Sequence, residues 1–309
     1  MESARLVGNV RYAAAAVGSV ICACSLLTNL DDLRSTKNEG GSDGGRCDPT
    51  APFQAPVLVA ELQDDAGQGE IAARLTADEL TLFFTHIGPT EIRTYVAMRS
   101  DVSSPFQTPT EVTTVRGAGT LDAYPSITAD KLNIFIEEQS DAGDVAIFQA
   151  ARSNPNAIFS PPTMVSALNT PGYDGQPYVA PDMSELYFTR GATSGGPVSI
   201  YSAAWNGLQW GDASLVAGGV NTGAYRSVPV VTADRLTIFF GVRLDDGGGN
   251  VDIYQATRPS TSAPFGTAAP VDPLNSGMND SPDWISTDQC VIYLHSDRSG
   301  VLHIYRATR

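Results

Sequence analysis

Val231-Thr232-Ala233-Asp234, followed by the apolar-aromatic run Ile238-Phe239-Phe240, is one copy of a pattern that recurs five times along the chain. The other copies are Leu75-Thr76-Ala77-Asp78, Ile127-Thr128-Ala129-Asp130, Val179-Ala180-Pro181-Asp182 and Ile285-Ser286-Thr287-Asp288. Their aspartates fall 52, 52, 52 and 54 residues apart. Matching runs follow at Leu82-Phe83-Phe84, Ile134-Phe135-Ile136, Leu186-Tyr187-Phe188 and Ile292-Tyr293-Leu294. A second aromatic segment comes next, at Tyr95, Phe148, Tyr201, Tyr254 and Tyr305. It closes on Ala-x-Arg at Arg99, Arg152, Arg258 and Arg309, with Trp205 once in the arginine's place. A last element opens on Phe106, Phe159, Trp210 and Phe265. Four features with one common period define a repeat.

The runs are short, β-branched and aromatic, and Gly, Asp, Asn and Pro bound them, which is strand chemistry. Four strands per unit of about 50 residues make a propeller blade, whose faces are buried against neighbouring blades. The expected fold is all-β: one five-bladed β-propeller of four-stranded antiparallel blades over residues 52–309. The aromatics are then core residues between blades. The repeated aspartate caps the turn between first and second strands. A catalytic acid would not need five copies.

One element is displaced. Phe53-Gln54-Ala55-Pro56-Val57-Leu58-Val59-Ala60 reads as a fourth strand with no first three before it, and Arg309 closes a third strand. The N-terminal strand therefore completes the last blade and removes its open edge. Of four cysteines, Cys47 precedes that strand and Cys290 follows the first turn of the last blade. A meander brings both to one end of one blade, where a disulfide closing so long a loop adds on the order of 4 kcal/mol. A buried free Cys290 beside an unpaired Cys47 is the alternative.

The last unit carries a family pattern. Ser281-Pro282-Asp283-Trp284-Ile285-Ser286-Thr287-Asp288, then Ser296-Asp297-Arg298-Ser299-Gly300 and Ile304-Tyr305-Arg306, resembles the TolB-type, WD-like propeller repeat. The resemblance covers about residues 52–309. It implies a periplasmic or surface scaffold that binds proteins or ligands, usually without catalysis. One departure is systematic: the Gly expected after the turn Asp is Glu79, Lys131, Met183, Arg235 or Gln289. A turn of different geometry is expected from that change.

Residues 1–24 read as a bacterial targeting segment. Arg5 and Arg11 precede an apolar stretch from Ala13 to Ala23, too short to span a bilayer. Ile21-Cys22-Ala23-Cys24 looks like a lipobox, which makes Cys24 the candidate for lipidation; Cys22 departs from the usual motif. Residues 25–51 have the polar, Gly-rich composition of a tether. The expected address is the bacterial cell envelope, periplasm or outer membrane, with the membrane reached only through that N-terminal anchor; plain secretion is the alternative. Nineteen Lys and Arg against 34 Asp and Glu give a net charge of −15. That balance excludes nucleic acid as a partner, because phosphate contacts need clustered cations.

Eight positions before each turn Asp stand Glu70, Asp122, Asp174, Arg226 and Asp280. Four acids and a base are expected to ring the channel mouth as the ligand site, beside Tyr124, Tyr173, Tyr225, Glu137, Arg190, Arg243, Asp297 and Arg298. Such a ring suits a cation or a basic peptide. The bland reading is that these side chains cap the loops between blades. Asp245 to Asp252 is acidic but lacks calcium-loop spacing. His86, His295 and His303 make no zinc pattern, so no metal or other cofactor is expected, calcium being the sole candidate. Trp205, Trp210 and Trp284 suit packing better than sugar stacking. The leading function is a non-catalytic binding scaffold that presents a loop face to a protein or peptide partner. A glycan-processing enzyme or a lectin of the five-bladed type is the alternative.

Overall fold

The turn after each first strand explains why the repeat keeps its aspartate. In the first unit Asp78 Oδ1 accepts from the Thr76 hydroxyl at 2.5 Å and from the Leu80 amide at 3.2 Å. Asp130, Asp182, Asp234 and Asp288 also accept the amide two residues on, at 2.9 to 3.1 Å. The next residue must turn left-handed. Glu79, Lys131, Met183, Arg235 and Gln289 all do, with φ between 58° and 63°. The geometry that glycine would adopt freely is thus retained by five side chains that resist it, contrary to the altered turn expected from the sequence. Four of the five left-handed residues offer their carbonyls to the arginine that follows the third strand; in blade three Trp205 stands in the arginine's place. Arg99, Arg152, Arg258 and Arg309 donate Nε to Glu79, Lys131, Arg235 and Gln289 at 2.7 to 2.8 Å.

Gln289 makes no side-chain hydrogen bond among the described residues, so it isolates the backbone cost. Gln289→Gly is expected to stabilise the protein by about 1 kcal/mol, read as a rise of a few degrees in melting temperature. Gln289→Val should lower it. A melting temperature unmoved by either change would show that this turn carries no strain.

The computed structural model describes residues 46–309 except 64–68, 118, 120, 140–143, 224 and 245–248, all within a unit spanning residues 44–309. A short β1 (Val57–Leu58) precedes blade one, formed by β2 (Gly69–Leu75), β3 (Thr81–Ile87), β4 (Ile92–Met98) and β5 (Thr110–Glu111). Blade two is β6 (Asp122–Ile127), β7 (Asn133–Gln139), β8 (Val145–Ala151) and β9 (Thr163–Met164). Blade three is β10 (Tyr173–Val179), β11 (Glu185–Gly191), β12 (Val198–Ala204) and β13 (Ser214–Leu215). Blade four is β14 (Tyr225–Val231), β15 (Thr237–Arg243), β16 (Val251–Thr257) and β17 (Ala269–Pro270). Blade five holds β18 (Asp280–Ile285), β19 (Val291–Ser296) and β20 (His303–Thr308), with β1 as its outer strand. The fold is a five-bladed β-propeller. The first strands β2, β6, β10, β14 and β18 each contact the next, and β18 contacts β2, so they line the axis as a closed ring.

The closure is antiparallel, with Val57 opposite Arg306 and Leu58 opposite Tyr305. Gln54 and Val59 amides donate to Thr308 and Ile304 carbonyls at 2.7 and 3.0 Å. The packing repeats what holds every other blade. Arg99, Arg152 and Arg258 lie over Phe106, Phe159 and Phe265, 4.3 to 4.6 Å from the ring centres, and Arg309 lies 4.2 Å over Phe53. In blade three both partners change together, and Trp205 meets Trp210 at 5.1 Å between ring centres. Cys47 and Cys290 are disulfide-bonded, their Cα atoms 5.6 Å apart. Arg46 pairs with Glu79 at 2.6 Å and with Asp288 at 3.0 Å. Residues 46–51, placed in the tether by composition, are therefore fastened to blades one and five. The lipobox with Cys24 lies outside the described residues. Among the described residues no helix is long and apolar enough to cross a membrane.

Candidate functional site at the channel mouth

The expected ring of ligand-binding residues is not an open mouth. Glu70, Asp122, Asp174, Arg226 and Asp280 are all buried, none more than 7% exposed, and each is engaged by groups of its own protein. Asp174 accepts from Arg190 at 2.5 Å and from the Thr170 amide at 2.6 Å; Asp280 does the same with Arg298 and Ser276. Asp122 pairs with Arg93 at 2.7 Å and takes the Gly117 amide. Glu70 pairs with His303 at 2.8 Å, and Arg226 donates to the Tyr225 and Thr222 carbonyls. Asp122, Asp174 and Asp280 thereby satisfy loop amides that would otherwise be buried unpaired. These are the contacts that the loop-capping reading expects, and they engage the side chains assigned to the ligand ring.

The chemistry lies two residues further along each first strand. There β2, β6, β10 and β14 each carry a bulge, with Ala72, Tyr124, Gln176 and Val228 at positive φ. Pro282 holds that place in β18, where its ring forbids positive φ and the register shifts at Asp283 instead. A bulge leaves its amide without a ladder partner. The preceding blade supplies one: Tyr124 donates to Thr85 Oγ1 at 2.8 Å, Gln176 to Glu137 Oε2 at 2.7 Å, and Val228 to Gln176 Oε1 at 3.0 Å.

Glu137 is the outlier of that set. It also accepts the Tyr173 hydroxyl on Oε2 at 3.3 Å, and it has no ion pair among the described residues. Burial, opposed by those two hydrogen bonds, raises its carboxyl to about 7. With Tyr124, Tyr173, Tyr225, Gln176 and Thr189 it lines a cavity of about 270 Å³ at this end of the axis. Thr189 is fully buried, and its hydroxyl has no partner among the described residues. Burial likewise raises the hydroxyls of Tyr124 and Tyr173 well above the ordinary tyrosine range, so both stay protonated. Arg243 covers a face of Tyr225, 3.9 Å from its ring centre.

The other end of the channel is nearly filled. Arg74 is buried there, 5.1 Å from the Tyr178 ring centre and 3.9 Å from Asp283 Oδ1. Asp283 is hydrogen-bonded to His295 Nδ1 at 2.7 Å. The cavity that Arg74 lines, rimmed by Ala77, Ala129, Pro181, Ala233 and Thr287, is only about 30 Å³, room for little more than water. Among the described residues the Glu137 end holds the larger of these two spaces on the axis.

The remaining expectations resolve locally. Trp210 and Trp284 are buried in the core, and Trp205 packs on Trp210. Arg190 and Arg298 are paired as described, and Asp297 accepts the Asn279 amide at 2.8 Å. No group of side chains suited to a metal occurs among the described residues, and Asp245 to Gly248 lie outside them. Sequence reasoning placed Tyr124, Tyr173, Tyr225 and Glu137 as neighbours of the site rather than as its lining. It missed Gln176, Thr189, Arg74 and Asp283. Comparing the five repeats position by position would have found them: seven residues after the turn Asp the copies read Thr85, Glu137, Thr189, Gly241 and His295.

No protein-family model matches the chain, and no curated protein matches it either. Solved structures do. The GH43_1 enzyme from Xanthomonas citri complexed with xylotriose is 13% identical, with a TM-score of 0.58 over 82% of this chain and 89% of that one. An α-L-arabinofuranosidase from Podospora anserina in complex with cellotriose is 10% identical, with a TM-score of 0.54 over 84% and 97%. TolB from Acinetobacter baumannii is 16% identical, with a TM-score of 0.49, and the chain spans about half of it, 54%. The likeness is one of fold. It supports a propeller without singling out the TolB-type repeat that the sequence motifs resemble.

Proposed function

We propose that the chain is a binding propeller whose ligand site is the tyrosine-lined cavity at the Glu137 end of the axis. One observation carries this reading. The repeats agree at the residues that hold the blades together and diverge at three residues that line the cavity, Tyr124, Gln176 and Glu137. Tyr124 and Gln176 stand where other copies have Ala72 and Val228, and Glu137 stands where others have Thr85, Thr189 or Gly241. Selection for packing alone would give similar residues in equivalent sites, whereas a single axial ligand makes each blade contribute differently. The partner is a small molecule or a side chain presented by a protein or peptide, held without chemical change. The Cys47–Cys290 bond fits an oxidising compartment, and lipidation at Cys24 in a bacterial envelope belongs to the same proposal.

Glycan processing is the second reading, and Glu137 favours it. A carboxyl that keeps its proton near neutrality is what a glycosidase acid needs. Such an enzyme also needs a second carboxylate facing the same substrate, and Glu137 is the one acid among the described residues lining the cavity. Asp283 is buried deeper and engaged by His295.

Oligosaccharides, amines and peptides screened by calorimetry and by reducing-sugar release separate the two. Binding without turnover, lost in Tyr173→Ala/Gln176→Ala, is expected. Sugar release that disappears in Glu137→Gln would replace the binding reading with the enzymatic one.

A further inference from the structure

We propose that the cavity at the Glu137 end selects a cation: the substituted ammonium group of a small amine or of a lysine side chain. The inference rests on the binding reading above and names its ligand class. Three observations lead to it. Glu137 is only 4% exposed and faces a cavity walled by three tyrosines, with no basic side chain paired to it among the described residues. Both of its hydrogen bonds among the described residues fall on Oε2, which leaves Oε1 without one among them. Tyrosine rings beside one uncompensated carboxylate favour an organic cation electrostatically.

The second observation removes the structural excuse for a carboxylate. Glu137 serves the Gln176 bulge amide, yet Thr85 serves the equivalent Tyr124 amide with a hydroxyl at 2.8 Å. A neutral side chain does that job one blade away. The charge on Glu137 is therefore surplus to the fold, and burying it costs free energy unless a counter-charge arrives. The third observation is the unpartnered Thr189 hydroxyl in the same lining, whose oxygen can turn toward a cationic head group and accept an N–H where the amine carries one.

Size and charge agree. About 270 Å³ lies just below the range of pockets for drug-sized ligands, which suits a head group better than an oligosaccharide. The net charge of −15 draws cations toward the molecule. Arg243, the one cation stacked on a cavity tyrosine, forms no ion pair with Glu137 among the described residues.

The test is calorimetric titration at pH 8 and pH 6 with choline, with its neutral isostere 3,3-dimethylbutan-1-ol, with a trimethyl-lysine peptide and with xylotriose. Choline should bind at least tenfold more tightly than the neutral alcohol. It should weaken about tenfold from pH 8 to pH 6 as Glu137 takes up its proton. Glu137→Gln and Glu137→Thr should both lose the preference, and the Thr variant keeps the bulge hydrogen bond in the manner of Thr85. Tighter binding of the peptide would place the ammonium on a protein partner, and tighter choline would place it on a free amine. Equal affinity for choline and the alcohol, or a Glu137→Gln protein that binds choline unchanged, overturns the cation class. Xylotriose bound in the cavity while both cations fail would overturn it and leave the binding reading standing. If no ligand of any class perturbs the tyrosine fluorescence, the binding reading falls too.

Discussion

A chain that starts at Glu61 is expected to lose its cooperative thermal transition. The deleted segment supplies β1, Phe53, Val59 and Cys47. Phe53 is buried against Phe239, 6.4 Å between ring centres, and under Arg309 at 4.2 Å. Losing a buried phenylalanine costs about 3–5 kcal/mol. The disulfide spans 243 residues, and the chain-entropy estimate for so long a loop is about 5 kcal/mol. Together these approach the whole stability of an ordinary domain, roughly 5–15 kcal/mol, before the exposed edge of β20 is counted. Reducing and alkylating the intact protein isolates the covalent part. At about 2–4 °C per kcal/mol for a chain of this size, the melting temperature should fall by roughly 10–20 °C. Circular dichroism melts of the three samples decide the matter. A truncated chain that melts like the parent would show that the ring holds itself shut without its N-terminal strand.

The second large effect is a loss of stability as pH rises through neutrality. Glu137 and its neighbour Glu138 both stand at about 7 in the folded protein, raised chiefly by burial, with Asp122 adding to the rise at Glu138. Unfolded, each titrates near its ordinary value of about 4.5. The folded state thus holds more protons than the unfolded one between those values. Stability is then highest below about 4.5 as far as these groups go, declines as pH climbs to 7, and levels off above it. The full shift is worth about 3 kcal/mol at the fully buried Glu137 and less at Glu138, which solvent screens and Arg93 offsets. Glu138 has an oxygen with no partner among the described residues, and it sits opposite Asp122 in the β6–β7 pair. Glu138→Gln should therefore raise the melting temperature at pH 8 by several degrees and change little at pH 4.5. Glu137→Gln should do the same while its amide oxygen keeps the Gln176 hydrogen bond. Melting temperatures that rise from pH 5 to pH 8 in the parent would refute both assignments.

The blades were legible because their fasteners repeat. Asp78 and its four equivalents, the arginines from Arg99 to Arg309 and the aromatics beneath them do one job five times, so they share one period. Even the exception was readable: Trp205 and Trp210 exchange as a pair because the guanidinium-on-ring contact must be replaced from both sides. The cavity was not legible by the same rule. The bulge in each first strand inserts a residue and breaks the alternation that tells which side chains face the axis. Glu70, Asp122, Asp174, Arg226 and Asp280 attracted notice because they recur, and recurrence marked them as structural. Glu137 hid inside an ordinary strand, and its burial depends on Tyr173 and Gln176 from another blade.

The contact between Phe53 and Arg309 joins residues 256 positions apart. At roughly 5–20 residues per second of synthesis, the first strand waits on the order of tens of seconds before its partner exists. Until then four blades can form while their two ends remain sticky, and a neighbouring nascent copy could donate its own strand instead. The pairing of Cys47 with Cys290 then records which strand arrived, because only a ring sewn from one molecule leaves no covalent link to another.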